Sequence, residues 1–382
     1  MKRWYGIRRL YEPAFRDRVL LVLVLGIGAY YAVWSVVQWL TLTPESLRFD
    51  FVNYFGGAQA AAHGSDIYAD FKRSWGTQAW VVAYIYPPFF ALVLAPLTSL
   101  GLLAAARIWL LLITATLWAA LRRRPGLAGA FIAVAASLKV TPIFLIPLFA
   151  RLGRWRIAVL GSVMLVGVTI VTMLAAPGSW QFFTVVLPRI GLGTANWDNG
   201  SIDGLVSRIV ELAPNLFGGA TQTVAKILIA GAAIAVIGFT LWCIRISSEQ
   251  DWSLRLGASA LITSLLIVSS VTWQHHLVTL LLPFATGIAW ITVRRPGARY
   301  GWWLFAAYAM CWMDRRAFPL PADMQVHSVT DAALMLAGTS VKLVGLLLLW
   351  TLLLQMIRVE AQVASVRQPD QSVAGAAAQP AA

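Results

Sequence analysis

The sequence predicts an all-α membrane protein: a polytopic transmembrane helical bundle of about ten spans, with short interfacial helices and long polar loops gathered on one face. Three observations carry this expectation. The 382 residues are 59% hydrophobic and only 12% charged, with a mean hydropathy of +0.72, well outside soluble-domain composition. Apolar runs of span length recur from Val19 to Met356. Lys and Arg fall mostly in the short loops between those runs. Continuous apolar runs favour helices over a closed barrel, since lipid leaves backbone groups no partner outside the segment.

In chain order, spans are expected at about 19–40, 80–97, 102–121, 127–150, 157–176, 222–244, 255–271, 275–293, 300–313 and 332–357. The run from Val19 to Leu40 is too long for a cleavable signal peptide, and no small-residue cleavage site follows it. Residues 1–18 are densely basic and are expected in the cytoplasm. Residues 19–357 form one transmembrane domain in this reading. Residues 358–382 form a cytoplasmic tail expected to be disordered, ending in the low-complexity stretch "QPDQSVAGAAAQPAA".

Alternating from a cytoplasmic start puts the loops with Arg151, Arg154 and Arg156, with Arg245 and Arg255, and with Arg294, Arg295 and Arg299 inside. One loop, "RRRPG" from Arg122 to Gly126, falls outside. Either it departs from the positive-inside rule, or residues 86–97 form a re-entrant half-span and another crossing is miscounted. The same alternation gathers residues 41–79, 177–221, 273–276 and 314–331 on the outer face. These loops are the longest and hold most of the acidic residues, so that face is expected to do the chemistry.

The net charge of +14 is read as topology signal and attraction to anionic headgroups. No nucleic-acid partner is expected; membrane lipids are. Cys243 and Cys311 both lie in apolar segments and lack metal-ligand spacing or a disulfide framework. No metal or other cofactor is expected.

Five stretches carry candidate chemistry. "FDFVNYFGGAQAAAHGSDIY" places Asp50 beside a span. Asn53 and Tyr54 follow three and four residues on, which puts all three on one helix face. A lone Asp is as often a cap or a solvated loop acid, so both readings stand. "YIYPPFFALVLAP" starts a span at Pro87 and Pro88, with Tyr84 and Tyr86 at headgroup depth, where aromatic-belt anchoring explains them equally well. "SLKVTPIFLIP" buries Lys139 in an apolar run, where it snorkels, pairs or faces a cavity. "NWDNGSIDGLVSRIVEL" reads as a turn at Asn199-Gly200 into a helix capped by Ser201, with Asp203 and Gly204 in its first turn and Arg208 on the Ser201 face. That face suits an anionic headgroup, or is simply a surface helix. "SSVTWQHHLVTLLLP" opens a span with His275 and His276. Adjacent residues on a helix point about 100° apart, which favours a phosphate or hydroxyl contact over a metal site.

Asp-Phe-x-x-Tyr, Tyr-x-Tyr-Pro-Pro, Leu-Lys-x-x-Pro, Asn-Gly-Ser-x-x-Gly-x-x-x-Arg and Trp-x-His-His-Leu occur in that order between Asp50 and Pro283. Together they resemble glycosyltransferase family 87, integral-membrane enzymes of the GT-C type that use polyprenyl-phosphate sugars. The resemblance implies a GT-C bundle transferring a mannosyl or related hexosyl group on the outer face of a bacterial plasma membrane. It implies a polyprenyl-phosphate sugar donor and a glycolipid or glycan acceptor. Residue by residue, Asp50 matches the family's catalytic acid, and His276 or its neighbour His275 matches the histidine on the donor phosphate. Arg208 and Lys139 match positions that fit the same phosphate. Tyr54, Tyr86, Asn199 and Ser201 match motif positions expected to bind substrate, and Asn53, on the helix face of Asp50, is expected to bind it with them. Gly200 departs from the Asn-Gln-Ser expected of the family, so no side-chain role is assigned there. The rival class is a transporter or lipid flippase, which usually carries matched broken helices in two repeated halves; no such repeat is evident in the sequence.

Overall fold

A computed structural model of the chain describes residues 49–74, 83–105, 141–191, 193–244, 250–313 and 328–367, with scattered positions between 33 and 43 and at 317. All the regular elements among the described residues are helices, and no strand occurs among them. The chain divides into two compact units, Met1–Arg123 with Ala175–Ser179, and Arg124–Leu174 with Trp180–Ala382.

The first unit holds α1 (Phe49–Ala62), α2 (Ala69–Ser74) and α3 (Pro88–Leu94), the last continuing as a 3-10 helix over Ala95–Leu100. Pro88 takes the first helical position of α3, where its missing N–H costs nothing and its fixed φ already suits a helix. The helix therefore starts where the Pro-Pro pair predicts. Gly57 lets α1 approach closely: a Cβ there would come within 2.3 Å of the Tyr84 ring.

The second unit runs through α4 (Leu145–Arg151), α5 (Trp155–Ala175), α6 (Leu187–Ile190), α7 (Ile202–Leu212), α8 (Thr221–Cys243), α9 (Gln250–Val268), α10 (Leu281–Arg294), α11 (Ala298–Trp312) and α12 (Val329–Arg367). Among the described residues, four helical stretches are long and apolar enough to cross a membrane: Trp155–Ala175, Gly218–Cys243, His276–Arg294 and Val329–Val363. At 1.5 Å per residue the 21 residues of α5 reach about 32 Å, enough for a bilayer core. Its outer side chains are bare apolar ones, Val163 at 63% exposure and Leu174 at 84%, as expected of a face that lipid covers. α9 and α12 supply the packed centre through Leu256, Ala260, Leu346, Leu349 and Leu353, all fully buried.

The expected spans at 157–176, 222–244 and 275–293 coincide with these helices. The expected spans at 255–271 and 300–313 are also helical, although α11 has only 15 residues. The stretch at 80–97 is helical only from Pro88, and the helix extends to Leu100. The spans at 19–40 and 102–121, and residues 127–140 of the next, lie largely outside the described residues. One boundary moves: α12 continues to Arg367 instead of giving way to a disordered tail at 358. Glu360 explains the extension. It is buried, and it accepts from Arg294 Nε and Trp290 Nε1, each at 2.7 Å. A carboxylate bonded to two residues of α10 holds that turn of α12 in the bundle.

Candidate active site

The sequence-predicted residues fall into two constellations, one in each unit. In the first unit Asp50 is the second residue of α1, which starts at Phe49. Helical spacing then carries Asn53 and Tyr54 around the same face. Asn53 is buried and Tyr54 half-buried. The Tyr54 ring meets Tyr86 and Phe90 edge-on, each at a centroid distance of 4.5 Å. Such pairs contribute about 0.5–1.5 kcal/mol beyond area burial.

The phenols behind them lock the segment before α3. Tyr68 donates its hydroxyl to the Tyr86 carbonyl at 2.8 Å. Tyr84 donates to the Pro87 carbonyl at 2.6 Å and accepts from the Ala91 N–H at 3.0 Å. Both phenols act as hydrogen-bonding struts, and burial drives that of Tyr68 well above its ordinary range, so it stays neutral. The neighbouring acids have local work. Asp66 accepts from the Tyr68 N–H and pairs with Lys72, while Asp70 pairs with Arg73 on an exposed turn.

In the second unit the Asn-Gly-Ser stretch is the hub. Asn199 is fully buried and spends its whole amide. Nδ2 donates to the carbonyls of Thr194 at 3.0 Å and Ser270 at 2.9 Å. Oδ1 accepts from the Ser201 hydroxyl at 2.8 Å and the Thr272 N–H at 2.9 Å. Gly200 N–H donates to the Thr272 carbonyl at 2.9 Å. Ser201 caps α7, its hydroxyl accepting from Gly204 N at 3.1 Å, as the sequence predicts; such a cap is worth about 1 kcal/mol.

Both glycines are there for space. A Cβ on Gly204 would sit 2.4 Å from the Asn199 carbonyl oxygen, and one on Gly200 would press Lys342 Cβ at 3.2 Å. Lys342, on α12, in turn forms an ion pair with Asp198.

Arg208 completes the clamp. Its side chain is wholly buried. One terminal nitrogen donates to the carbonyls of Asn196 at 3.0 Å and Asn199 at 3.1 Å, and the other reaches the Thr339 carbonyl on α12 at 3.5 Å. Burial lowers its pKa to about 10, which leaves it charged at neutral pH. A buried cation among three carbonyls ties the loop to α12. Nearby Asp203 is buried and accepts from the Ser207 hydroxyl at 3.0 Å; burial raises its pKa to about 6 against the pull of that bond.

The histidines stand at the start of a 3-10 helix, Gln274–Leu280, that leads into α10. His275 is its second residue. His276 is half-buried, and its Nδ1 accepts the Trp273 N–H at 3.3 Å. Lys139 lies outside the described residues. No group of three or more His, Cys, Asp or Glu that could hold a metal occurs among the described residues.

The sequence reading passes over two contributors, Lys342 and Thr272. Lys342 is a basic side chain inside an apolar run, the same signal that marks Lys139. Thr272 has no such marker. It is buried, its hydroxyl donates to Leu266 O at 2.7 Å, and its peptide groups meet Asn199 and Gly200, which only the folded chain reveals.

Against known proteins, residues 110–270 match the model for glycosyltransferase family 87. The chain is 26% identical over 386 aligned residues to a protein of Mycobacterium tuberculosis, covering 84% of each. It is 27% identical over 310 residues to one of Mycolicibacterium smegmatis, covering 65% of this chain and 72% of the relative. Both carry the description polyprenol-phosphate-mannose-dependent alpha-(1-2)-phosphatidylinositol pentamannoside mannosyltransferase. No solved structure matches.

Proposed function

We propose that this chain, a membrane glycosyltransferase of the family 87 type, moves a mannosyl group from a polyprenyl-phosphate donor to a hydroxyl of a glycolipid acceptor at the extracytoplasmic face of a bacterial inner membrane. The observation that carries the reading is the pairing of that likeness with the start of α1. There Asp50 opens a helix whose next turn, Asn53 and Tyr54, is fixed against Tyr86 and Phe90.

The chemistry follows from those residue types. The acceptor oxygen attacks the anomeric carbon while Asp50 takes its proton. The bond from that carbon to the phosphate oxygen breaks, and the polyprenyl phosphate departs with the electron pair. A positioned base of this kind contributes about 10²- to 10⁴-fold. His276, or His275, donates to the phosphate as its charge grows, with Lys139 and Arg208 adding positive charge to its surroundings. Asn53, Tyr54 and Tyr86 shape the sugar side, and Asn199 and Ser201 hold the loop beside the phosphate. A single displacement inverts the anomeric centre, so a β-linked donor yields an α-linked product.

The test is transfer by the purified protein in detergent or liposomes, with polyprenyl-phosphate mannose and a phosphatidylinositol mannoside, and the product read by NMR. The expected result is an α-linked mannoside that depends on the lipid-phosphate donor. Absence of transfer from any polyprenyl-phosphate hexose, or a β-linked product from the β donor, overturns the proposal. Movement of the intact lipid-linked sugar across liposomes without transfer would favour a flippase.

A further inference from the structure

We propose that the Asn199–Gly200 segment is a positioning element that sets the tautomer of His276 through one peptide plane, so that the ring presents a neutral Nε2–H. The functional meaning rests on the glycosyl-transfer reading above; the tautomer itself does not.

The Thr272–Trp273 peptide is the link. No cis bond occurs among the described residues, so the Thr272 carbonyl and the Trp273 N–H share one rigid plane and point in opposite directions. On one side the Thr272 carbonyl accepts from Gly200 N at 2.9 Å. On the other the Trp273 N–H donates to His276 Nδ1 at 3.3 Å. The preceding peptide is held too, because the Thr272 N–H donates to Asn199 Oδ1 at 2.9 Å. Asn199 is itself fixed by the Thr194 and Ser270 carbonyls and by Ser201. The plane therefore cannot rotate without breaking bonds on the far side from the histidine.

An N–H aimed at Nδ1 needs the lone pair of that nitrogen. The proton of the neutral ring must then lie on Nε2. His276 N donates to the Trp273 carbonyl at 2.9 Å, which anchors the backbone from which the ring projects. The consequence for the reaction is a hydrogen-bond donor of fixed direction toward a phosphate oxygen, already arranged before the donor arrives. Its orientation depends on residues some 75 positions away in sequence.

Trp273 offers a clean probe. It sits at φ −77°, which proline tolerates. Trp273→Pro deletes the N–H that meets Nδ1, whereas Trp273→Ala keeps that N–H and deletes only the indole. The experiment labels the full chain with ¹⁵N-histidine and records both ring nitrogens at a pH of about 8.5, above the ordinary histidine range. The chain has four histidines, and His276→Gln identifies the signal. Wild type and Trp273→Ala are expected to show a single tautomer with the proton on Nε2; Trp273→Pro shows Nδ1–H populated as well. Gly200→Ala, which keeps every peptide N–H but presses its methyl to 3.2 Å from Lys342 Cβ, is expected to fall between them.

In the transfer assay Trp273→Pro is expected to lose roughly 10- to 100-fold in kcat relative to Trp273→Ala, the scale seen when the partner that orients a metal-ligating imidazole is removed. Nδ1–H in the wild-type ring, or identical tautomer populations in the Pro and Ala variants, overturns the proposal. A wild-type protein with the expected tautomer but no transfer activity contradicts the glycosyl-transfer reading and upholds the tautomer.

Discussion

Around Asp50 the chain is held by rings; around His276 it is held by hydrogen bonds. In the first unit α1 meets α3 through Tyr54, Tyr86 and Phe90, with Gly57 making room for Tyr84. Ring packing has no single indispensable atom, and small shifts cost little at each contact. In the second unit Asn199, Gly200 and Arg208 bond to backbone groups of distant segments, and the Ser201 hydroxyl links Asn199 Oδ1 to the Gly204 N–H. There, one lost atom leaves a buried polar group without a partner, which costs about 1–3 kcal/mol. The contrast separates two tasks. The first unit carries the proposed base on a helix that needs only to be placed. The second holds an irregular loop that has no helix or sheet ladder to support it, so side chains must supply the bonds.

The largest expected structural effect follows from Arg208. Arg208→Met removes a buried cation from the Asn196, Asn199 and Thr339 carbonyls and is expected to destabilise the detergent-purified protein by about 3 kcal/mol. Thermal unfolding monitored by tryptophan fluorescence reads this. Arg208→Lys should not restore the loss, since one ammonium cannot reach carbonyls on both the loop and α12. An unchanged unfolding temperature with a raised donor KM would break the contrast and put the guanidinium on the substrate.

A smaller effect is expected in the ring-packed unit. Gly57→Ala drives a methyl into the Tyr84 ring, whose hydroxyl is tied to Pro87 and Ala91. Overpacking of this kind costs about 1–3 kcal/mol, offset by alanine's better helix propensity. Because α1 carries Asp50, transfer activity should fall more than stability does. Equal losses in both would mean that α1 position does not matter to the reaction.

The smallest effect is on pH dependence. The Asp203 carboxyl titrates near 3.8 when unfolded and near about 6 in the folded chain, because burial disfavours its charge. Between those values the folded state holds the extra proton. Stability therefore falls as pH rises from about 4 to about 6 and stays lower above that. Asp203→Asn is expected to remove this slope and to raise the unfolding temperature at neutral pH. A steeper slope in the variant would show that the charged carboxylate supports α7.

The helices of the second unit were legible in the sequence because apolar length and Pro, Ser and Gly punctuation act locally. Ser201 as a cap and Pro88 as a helix start need only their own neighbours. The end of α12 was not legible, since it depends on Glu360 meeting Arg294 and Trp290 from another part of the chain. The Asn-Gly-Ser-x-x-Gly-x-x-x-Arg spacing announced a motif but not its work. Spacing says that Ser201, Gly204 and Arg208 share a helix face; it does not say that the face turns inward onto carbonyls. Thr272 was invisible for the same reason, as its importance lies in its backbone.

Asp50 is the proposed base on α1, and the bonds of Asn199 and Arg208 hold the loop of the second unit. Transfer from polyprenyl-phosphate mannose by Asp50→Asn, measured beside its unfolding temperature, tests this most directly. The expected result is an unfolding temperature equal to wild type with kcat reduced about 10²-fold or more, the contribution of a positioned base. Transfer at the wild-type rate by a folded Asp50→Asn protein would contradict it.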